Sequence, residues 1–509
     1  MKQETLTKIV LGPPGTGKTT HLLGKVMQHL KDGIQAQEIC YVSFTRKAAN
    51  EARDRAKREF KLSDNKLQYF RTIHSLAFHF HGLETSHVMG WSDYITLCKM
   101  LGLTISSMKL DVDGFMNYHT KGDRLLFLEN LARSTKKSLS DVCAMHPNDD
   151  IDMRELVLLS TTLTEYKRVN HKYDFTDMIL NFIEKDVAPD IQVLLVDEGQ
   201  DLSPIQWDMI GILKRKARLM YIAGDDDQAI YSWAGADVKQ FQQQQGKVEV
   251  LTQSYRVPVH QHRLAEKVVQ RIKTRAVKSY IPKKEPGEVQ FITEVSHIDM
   301  GKETGTWLLL ARNVYLLGDY DRYCVSQGYY FESRYGSAID LNVGMAIKYW
   351  EALRKGEKIP ASMAKIIYQY MSSKKMIIWG SKKILDQVPD DQYVDMFSLG
   401  TKYGLKATEN WLTSLDMISD KDKAYFRMLL QKGEDIRQEP RIKINTIHGV
   451  KGGEADNVVL MTDMAQRTFN EFTNNEDDEC RVWYVAITRS RHRLYIVHPK
   501  TPYFFNISQ

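Results

Sequence analysis

The chain has 509 residues, 43% apolar and 26% charged, with 70 Lys and Arg against 64 Asp and Glu for a formal net charge of +6. That length exceeds what one hydrophobic core supports, so about three or four domains are expected. No apolar run reaches the ~18 residues that a membrane-spanning helix needs, and the mild positive excess permits a polyanionic partner without requiring one. The opening MKQETLTKIV lacks the pattern of a secretory signal, which points to the cytoplasm. Cys40, Cys98, Cys143, Cys324 and Cys480 are scattered and without C-x-x-C spacing, so they read as reduced structural thiols.

Lys8 to Leu11 forms an apolar run of strand character, and Thr20 to Leu30 has helical periodicity. Between them Gly12-Pro13-Pro14-Gly15-Thr16-Gly17-Lys18-Thr19, followed by Thr20, fits G-x-x-x-x-G-K-[ST], a phosphate-binding loop. Gly12, Gly15 and Gly17 let the backbone turn its N–H groups toward phosphate oxygens. Lys18 supplies charge at the β- and γ-phosphates, and the Thr19 hydroxyl is placed for Mg²⁺. Residues 12–20 are thus expected to hold ATP with Mg²⁺. Ile39 to Phe44 predicts a further strand and Lys47 to Phe60 a basic amphipathic helix. From 81 to 184 the pattern turns helical, an insertion into a first α/β domain made of 1–80 and 185–250.

Val193 to Val196 and Met220 to Ala223 predict two more buried strands, each running into acids. Ligands of open α/β sheets lie beyond the carboxyl ends of the strands. Asp197 is therefore expected to hold Mg²⁺ and Glu198 to act as general base on the attacking water. Gln228, after Asp225-Asp226-Asp227, reads as a γ-phosphate sensor or a group that holds the water. The aspartates read as part of that machinery or as a solvated acidic loop. A second α/β domain is expected from 251–337 and 439–509, with strands Val289–Val295, Trp307–Ala311, Ile442–Ile447, Val458–Thr462 and Leu494–Val497. A helical insertion spans 338–438. Arg256 and Arg489 follow apolar segments assigned to this second domain. An arginine from a facing domain neutralises a transferring phosphoryl group and makes catalysis depend on closure. Alternating strands and helices predict parallel sheets covered on both faces.

GPPGTGKTT, YVSFTRKAANEARDR, RTIHSLAF, YDFTDMI, LLVDEGQD, IAGDDDQAIYSWAGAD, LTQSYRVP, INTIHGVKGGEADNVVL and RVWYVAITRSR follow one another from Gly12 to Arg491. In kind and order they resemble the UvrD/Rep/PcrA-type superfamily 1 DNA helicases over nearly the whole chain. The resemblance implies an α/β fold of two RecA-like parallel-sheet motor domains, each with a mainly helical insertion. It implies ATP hydrolysis coupled to 3′→5′ movement on single-stranded DNA, with unwinding at single-strand/duplex junctions. Replication or repair proteins are implied partners, with no membrane involved and the cytoplasm, at the nucleoid, as compartment. Lys18, Thr19, Asp197, Glu198, Gln228, Arg256 and Arg489 are implied for the ATP site, with Tyr255 stacking on adenine and Glu454 touching the ribose. Phe44, His74, Tyr231, Trp233, Thr446 and His448 match positions near the DNA strand.

The departures from the family pattern are specific. Only eleven residues precede Gly12, with no counterpart of the adenine-recognition glutamine segment. Ala234 stands where arginine is common and Gly453 where leucine is common. The second insertion is short, and the chain stops soon after Arg493. A compact phage or mobile-element version is the expectation that follows.

A single-strand motor needs stacking platforms, worth about 1–3 kcal/mol per base, and backbone contacts. Tyr231 and Trp233 flank a loop beside Gln228, which would join nucleotide state to base contact. Both, like Phe44, fit core packing as well, and His74 and His448 fit structural histidines. Thr45, Arg46 and Lys47 open a helix whose N–H groups favour phosphate, and Lys451 sits in a glycine-flanked turn that offers the same. Asp174 and Asp177 of YDFTDMI read as structural. Two other functions stay open: a translocase that strips bound proteins with weak unwinding, and a non-motor ATP switch that binds DNA and recruits partners.

Overall fold

A computed structural model of the chain describes residues 5–44, 46–106, 120–146, 151–436 and 438–508. Contacts divide it into two units, Met1–Pro286 with Phe472–Thr488, and Gly287–Glu471 with Arg489–Gln509.

In the first unit the apolar runs form the middle of a parallel six-stranded sheet. Its strands are β1 (Leu6–Leu11), β2 (Ile39–Ser43), β3 (Phe70–Thr72), β4 (Val193–Asp197), β5 (Leu219–Gly224) and β6 (Lys247–Val250), in the order β3-β2-β4-β5-β1-β6. Successive residues of a strand face opposite sides. Ile9, Cys40, Val42, Leu194, Val196, Met220 and Ile222 enter one core with helices Ile73–Phe80, Phe175–Lys185 and Pro204–Lys214. Val10, Ile39, Tyr41, Leu195, Tyr221 and Ala223 enter the other with helices Lys18–Lys31 and Arg46–Phe60. A sheet buried on both faces needs strands apolar at every position, which is why these runs do not alternate. The registers Leu11↔Gly224 and Ser43↔Asp197 bring the carboxyl ends of β1, β2, β4 and β5 to one edge.

The first insertion has its own core, where Leu97, Leu125, Leu128, Leu131, Leu156, Leu159 and Leu163 pack together. The expected insertion reaches 184, but helix Phe175–Lys185 packs through Met178, Ile179 and Phe182 into the sheet core instead. A charge cluster joins the two. Arg133 Nε lies 2.7 Å from Glu129, and its terminal nitrogens reach Asp174 at 2.6 Å and Asp177 at 3.1 Å. Lys167 Nζ lies 2.7 Å from both aspartates. Asp174 also accepts from the Asp177 N–H at 2.8 Å, capping helix Phe175–Lys185. Burial drives the Asp174 carboxyl up, yet Arg133 and Lys167 outweigh it and hold the group well below the usual carboxylate range. The structural reading of YDFTDMI fits this geometry.

The second unit holds a seven-stranded sheet. Its strands are β7 (Glu288–Ile292), β8 (Trp307–Ala311), β9 (Phe331–Ser333), β10 (Gly336–Ser337), and, past a two-stranded ribbon of β11 (Ile359–Pro360) and β12 (Tyr393–Val394), β13 (Ile442–Thr446), β14 (Ala455–Met461) and β15 (Ser490–Val497). The order is β10-β9-β13-β8-β14-β15-β7, parallel except for the β9–β10 hairpin. Trp307, Leu309, Ile442 and Ile444 share a single hydrophobic core with Trp350, Ile367, Tyr368, Phe426 and Leu429 from the helical insertion. The expected second domain ran through 251–337 and 439–509, whereas contacts group 251–286 and 472–488 with the first unit. Helix Val259–Val269 packs there on helix Glu476–Ile487. Among the described residues no helix is long and apolar enough to cross a membrane, and no disulfide joins any of the five cysteines.

Removing one partner from a buried ion cluster strands the others. Arg133→Met is expected to destabilise the first unit by about 3–5 kcal/mol in urea unfolding. A loss under about 1 kcal/mol would show that Lys167 alone balances the three carboxylates.

Candidate nucleotide and nucleic-acid site

Strand β1 ends at Leu11, and the Gly12 N–H donates to the Gly224 carbonyl at 3.0 Å, so the loop leaves the sheet beside the end of β5. Thr16 bonds back to the Pro13 carbonyl through its N–H at 3.2 Å and its hydroxyl at 2.8 Å. Pro13 and Pro14 are buried. Gly17 ends the loop in the left-handed region, and helix Lys18–Lys31 starts there with its free N–H groups toward the loop. Lys18 Nζ donates to the Gly12 carbonyl at 2.9 Å, curling over the loop, and Thr20 is exposed on the first turn.

The acids of β4 meet this loop. Asp197 is fully buried, and its Oδ2 accepts from the Thr19 hydroxyl at 2.9 Å and the Tyr41 hydroxyl at 2.8 Å. Burial and the neighbouring Glu198 push its carboxyl up to about 6, against the pull of both hydroxyls and Lys18. A hydroxyl and a carboxylate converging on one point are the hard oxygen donors that Mg²⁺ takes. Glu198 has φ 55°, a left-handed conformation that costs a non-glycine residue about 1–3 kcal/mol and clusters at functional sites. Its Oε2 accepts from Gln200 Nε2 at 2.6 Å. The Gln200 Oε1 accepts from the Asp225 N–H at 3.0 Å, and Gln228 Nε2 donates to Asp225 Oδ2 at 2.6 Å. Glu198 and Gln228 are therefore brought together through Gln200 and Asp225.

The solvated-loop reading of the three aspartates is overturned. Asp225, Asp226 and Asp227 are all fully buried. Lys278 Nζ lies 3.0 Å from Asp225 and 2.7 Å from Asp227, and Arg275 grips Asp227 with two nitrogens at 2.8 and 2.6 Å. Burial alone raises the Asp226 carboxyl, but Lys278 and the Ala276 N–H bring it below its ordinary value.

The Arg256 segment likewise sits otherwise than expected. It belongs to the unit that carries the phosphate loop. The Tyr255 N–H donates to the Gly15 carbonyl at 2.9 Å and the Ser254 hydroxyl to the Pro14 carbonyl at 2.8 Å. A short pairing with 281–283 holds the segment, through the Ser254 N–H to Ile281 O at 2.9 Å and the Lys283 N–H to Val257 O at 2.9 Å. The Tyr255 ring is 77% exposed, open for stacking, and Arg256 is half-buried. Gly15 has φ +72°, and a Cβ there would stand 2.4 Å from Arg256 Cβ.

In the second unit, Arg489 is buried and donates to the Gly453 carbonyl at 3.1 Å, while Glu454 pairs with Arg491. Thr446 is buried at the end of β13 and accepts from the Gly449 N–H at 3.2 Å. His448 is buried, and Lys451 is partly exposed at the turn before β14.

Phe44, His74, Tyr231 and Trp233 all lie in the first unit. Tyr231 is buried, its ring 5.5 Å from that of Phe44, so in this conformation it faces protein rather than an open surface. Trp233 stacks on Phe127 of the first insertion at 6.3 Å. His74 packs edge-on against Phe175 at 5.6 Å, and burial pushes its imidazole down to about 4, which keeps it neutral at pH 7. With Asn50, Arg53, Arg71 and Ser75 it lines a cavity of about 350 Å³. Thr45 lies outside the described residues, and Arg46 is the first residue of helix Arg46–Phe60. Sequence reasoning missed Tyr41, Gln200, Ser254, Arg275 and Lys278. Their signal is faint: a hydroxyl or charge inside or just beyond an apolar segment.

The model for the UvrD/REP helicase N-terminal domain matches residues 2–249, and that for the UvrD-like helicase C-terminal domain matches residues 422–501. The chain is 27% identical over 261 residues to the ATP-dependent DNA helicase srs2 of Schizosaccharomyces pombe, covering 46% of this chain and 29% of that protein. It is 25% identical over 264 residues to a probable DNA helicase of Mycoplasma pneumoniae, covering 46% of each. To the ATP-dependent DNA helicase Rep of Escherichia coli it is 26% identical over 249 residues, covering 45% of this chain and 35% of that protein. The chain thus spans less than half the length of these relatives.

Gly15→Ala is expected to weaken nucleotide binding at least roughly tenfold, since strain and the clash with Arg256 both act on the loop. Gly24→Ala, on an open helix face of the same loop-helix unit, is the control, with nucleotide affinity expected to stay within about twofold of the parent. Titration with a fluorescent ATP analogue reads both. Equal affinities for the two variants would contradict the bracing of the loop.

Proposed function

The chain belongs to the UvrD/Rep family of superfamily 1 helicases, and from that premise we propose that it is an ATP-dependent DNA helicase that moves 3′→5′ on single-stranded DNA and separates duplex at junctions. The observation that carries the reading is the convergence of Lys18, Thr19, Asp197, Glu198 and Gln228 at the carboxyl ends of β1, β4 and β5. ATP lies along the loop Gly12 to Thr20, with Tyr255 against its base and Glu454 at the ribose. Lys18 trades its bond to the Gly12 carbonyl for phosphate oxygens. Thr19 and Asp197 would hold Mg²⁺, which would supply positive charge beside the phosphates.

Glu198 is the general base. Its carboxylate takes the proton of the attacking water while Gln200 keeps the side chain oriented. Gln228 contacts the γ-phosphate or the water, and Arg256 and Arg489 supply guanidinium charge to the transferring phosphoryl group. Phe44, Thr45, Arg46, His74, Tyr231, Trp233, Thr446, His448 and Lys451 are assigned to the DNA strand. Tyr231 is buried in this conformation, so its ring must become exposed before it takes a base, whereas Trp233 is only half-buried where it stacks on Phe127. We assign the motor domains to 1–80 with 185–250 and to 251–337 with 439–509, with 251–286 and 472–488 packed on the first of them, the insertions to 81–184 and 338–438, with helix Phe175–Lys185 of the former built into the first sheet's core, and the compartment to the cytoplasm, where replication or repair proteins are met.

Lys18→Ala and Glu198→Gln are each expected to lower DNA-stimulated ATP hydrolysis by about 100-fold or more while the fold is kept. Hydrolysis near the parent rate in either variant would remove the site assignment. Duplexes with a 3′ or a 5′ single-stranded tail test polarity: strand displacement from the 3′-tailed duplex alone is expected. Hydrolysis with displacement of a bound protein but no strand separation would favour the stripping translocase instead.

A further inference from the structure

We propose that Lys278 is a positioning residue for hydrolysis, holding Asp225 so that Gln228 stays aimed at the reacting phosphate; this rests on the reading of Gln228 given above. The Lys278 side chain is 1% exposed, and its ammonium lies 3.0 Å from Asp225 Oδ1, 2.5 Å from Asp226 Oδ1 and 2.7 Å from Asp227 Oδ2. The carboxylates of Asp225, Asp226 and Asp227 lie close enough together to hold a cation. The charge among them is this ammonium.

Burying four charges is costly, and apolar side chains of similar volume fill such a space as well or better for stability alone. What the carboxylates add is direction. Asp225 Oδ2, the oxygen not facing Lys278, accepts from Gln228 Nε2 at 2.6 Å. The Asp225 N–H is fixed by Gln200, which also holds Glu198. One hydrogen-bonded chain therefore runs from Lys278 through Asp225 to both the sensor and the base.

The cations come from a different part of the sequence than the acids. Lys278 and Arg275 lie in 270–286, anchored to helix Glu476–Ile487. The Lys273 and Thr274 N–H groups both donate to Asp477 at 2.9 Å, and Arg481 donates to the Thr274 carbonyl at 2.6 Å and the Asp226 carbonyl at 3.0 Å. That helix ends at Ile487, two residues before Arg489. The aim of Gln228 is thus set by the element that leads into Arg489.

The test measures kcat and KM for ATP, with saturating single-stranded DNA, for Lys278→Met, Gln228→Ala and the double variant. Lys278→Met is expected to lower kcat roughly tenfold or more and to change KM by less than about threefold. The double variant is expected to fall no more than about twofold below Gln228→Ala, because a positioning residue has nothing left to position. Losses that multiply would overturn the proposal. Near-parent hydrolysis by Gln228→Ala would instead remove the sensor reading on which it stands. If Lys278→Met alone is poorly folded, Lys278→Met with Asp226→Asn removes one charge of each sign, and the same cycle is read on that background.

Discussion

The hydrogen bond from the Thr19 hydroxyl to the Asp197 carboxylate closes the candidate site, joining residues 178 positions apart. It exists because β1 and β4 both lie in a parallel sheet whose strands end at one edge, flanking β5. Parallel strands need crossover connections, and those crossovers leave room for long insertions without disturbing the edge. The whole first insertion lies between β3 and β4, yet Ser43 still pairs with Asp197. The same edge raises the Asp197 carboxyl: burial at the strand end, with Glu198 next to it, makes negative charge expensive there.

A second constraint is the bracing of the loop from outside. Ser254 and Tyr255 bond to the carbonyls of Pro14 and Gly15, and Lys278 and Arg275 bond to the acids after β5. The phosphate loop and the sensor loop are therefore both held by 251–286, a segment that the order of strands and helices in the sequence assigns to the second domain. Trp483, Tyr484 and Val485, all buried, belong to the helix that packs on the same segment.

Much of this was legible in the residues. The strands β1, β2, β4, β5, β8 and β13 lie within about a residue or two of their apolar runs, because strands buried on both faces leave continuous hydrophobic signals. The exposed edge strand Lys247–Val250 and the three-residue strands Phe70–Thr72 and Phe331–Ser333 left none. The phosphate loop and the acids after β4 were readable because glycine, lysine and carboxylates at fixed spacing have few other uses. Lys278 and Tyr41 were not, since a lone lysine or tyrosine carries no spacing, and its meaning comes only from the distant carboxylate it meets. The grouping of 251–286 was hidden for the same reason: one serine hydroxyl on the Pro14 carbonyl and one backbone N–H on the Gly15 carbonyl carry no spacing to read.

The continuous core of the second unit has a consequence of its own. Trp350, Ile367 and Phe426 of the helical insertion belong to one contiguous cluster of buried side chains with Trp307, Leu309, Ile442 and Ile444 of the strands, and helix Leu317–Gln327 lies between strands and insertion. The insertion shares the core of its own sheet and is not an annex. Excising 338–438 would lay bare apolar side chains that the shared core now keeps from water. A shortened descendant would have to rebuild that cover before it kept its strands, so this region is free to vary in length only where it stands clear of the sheet.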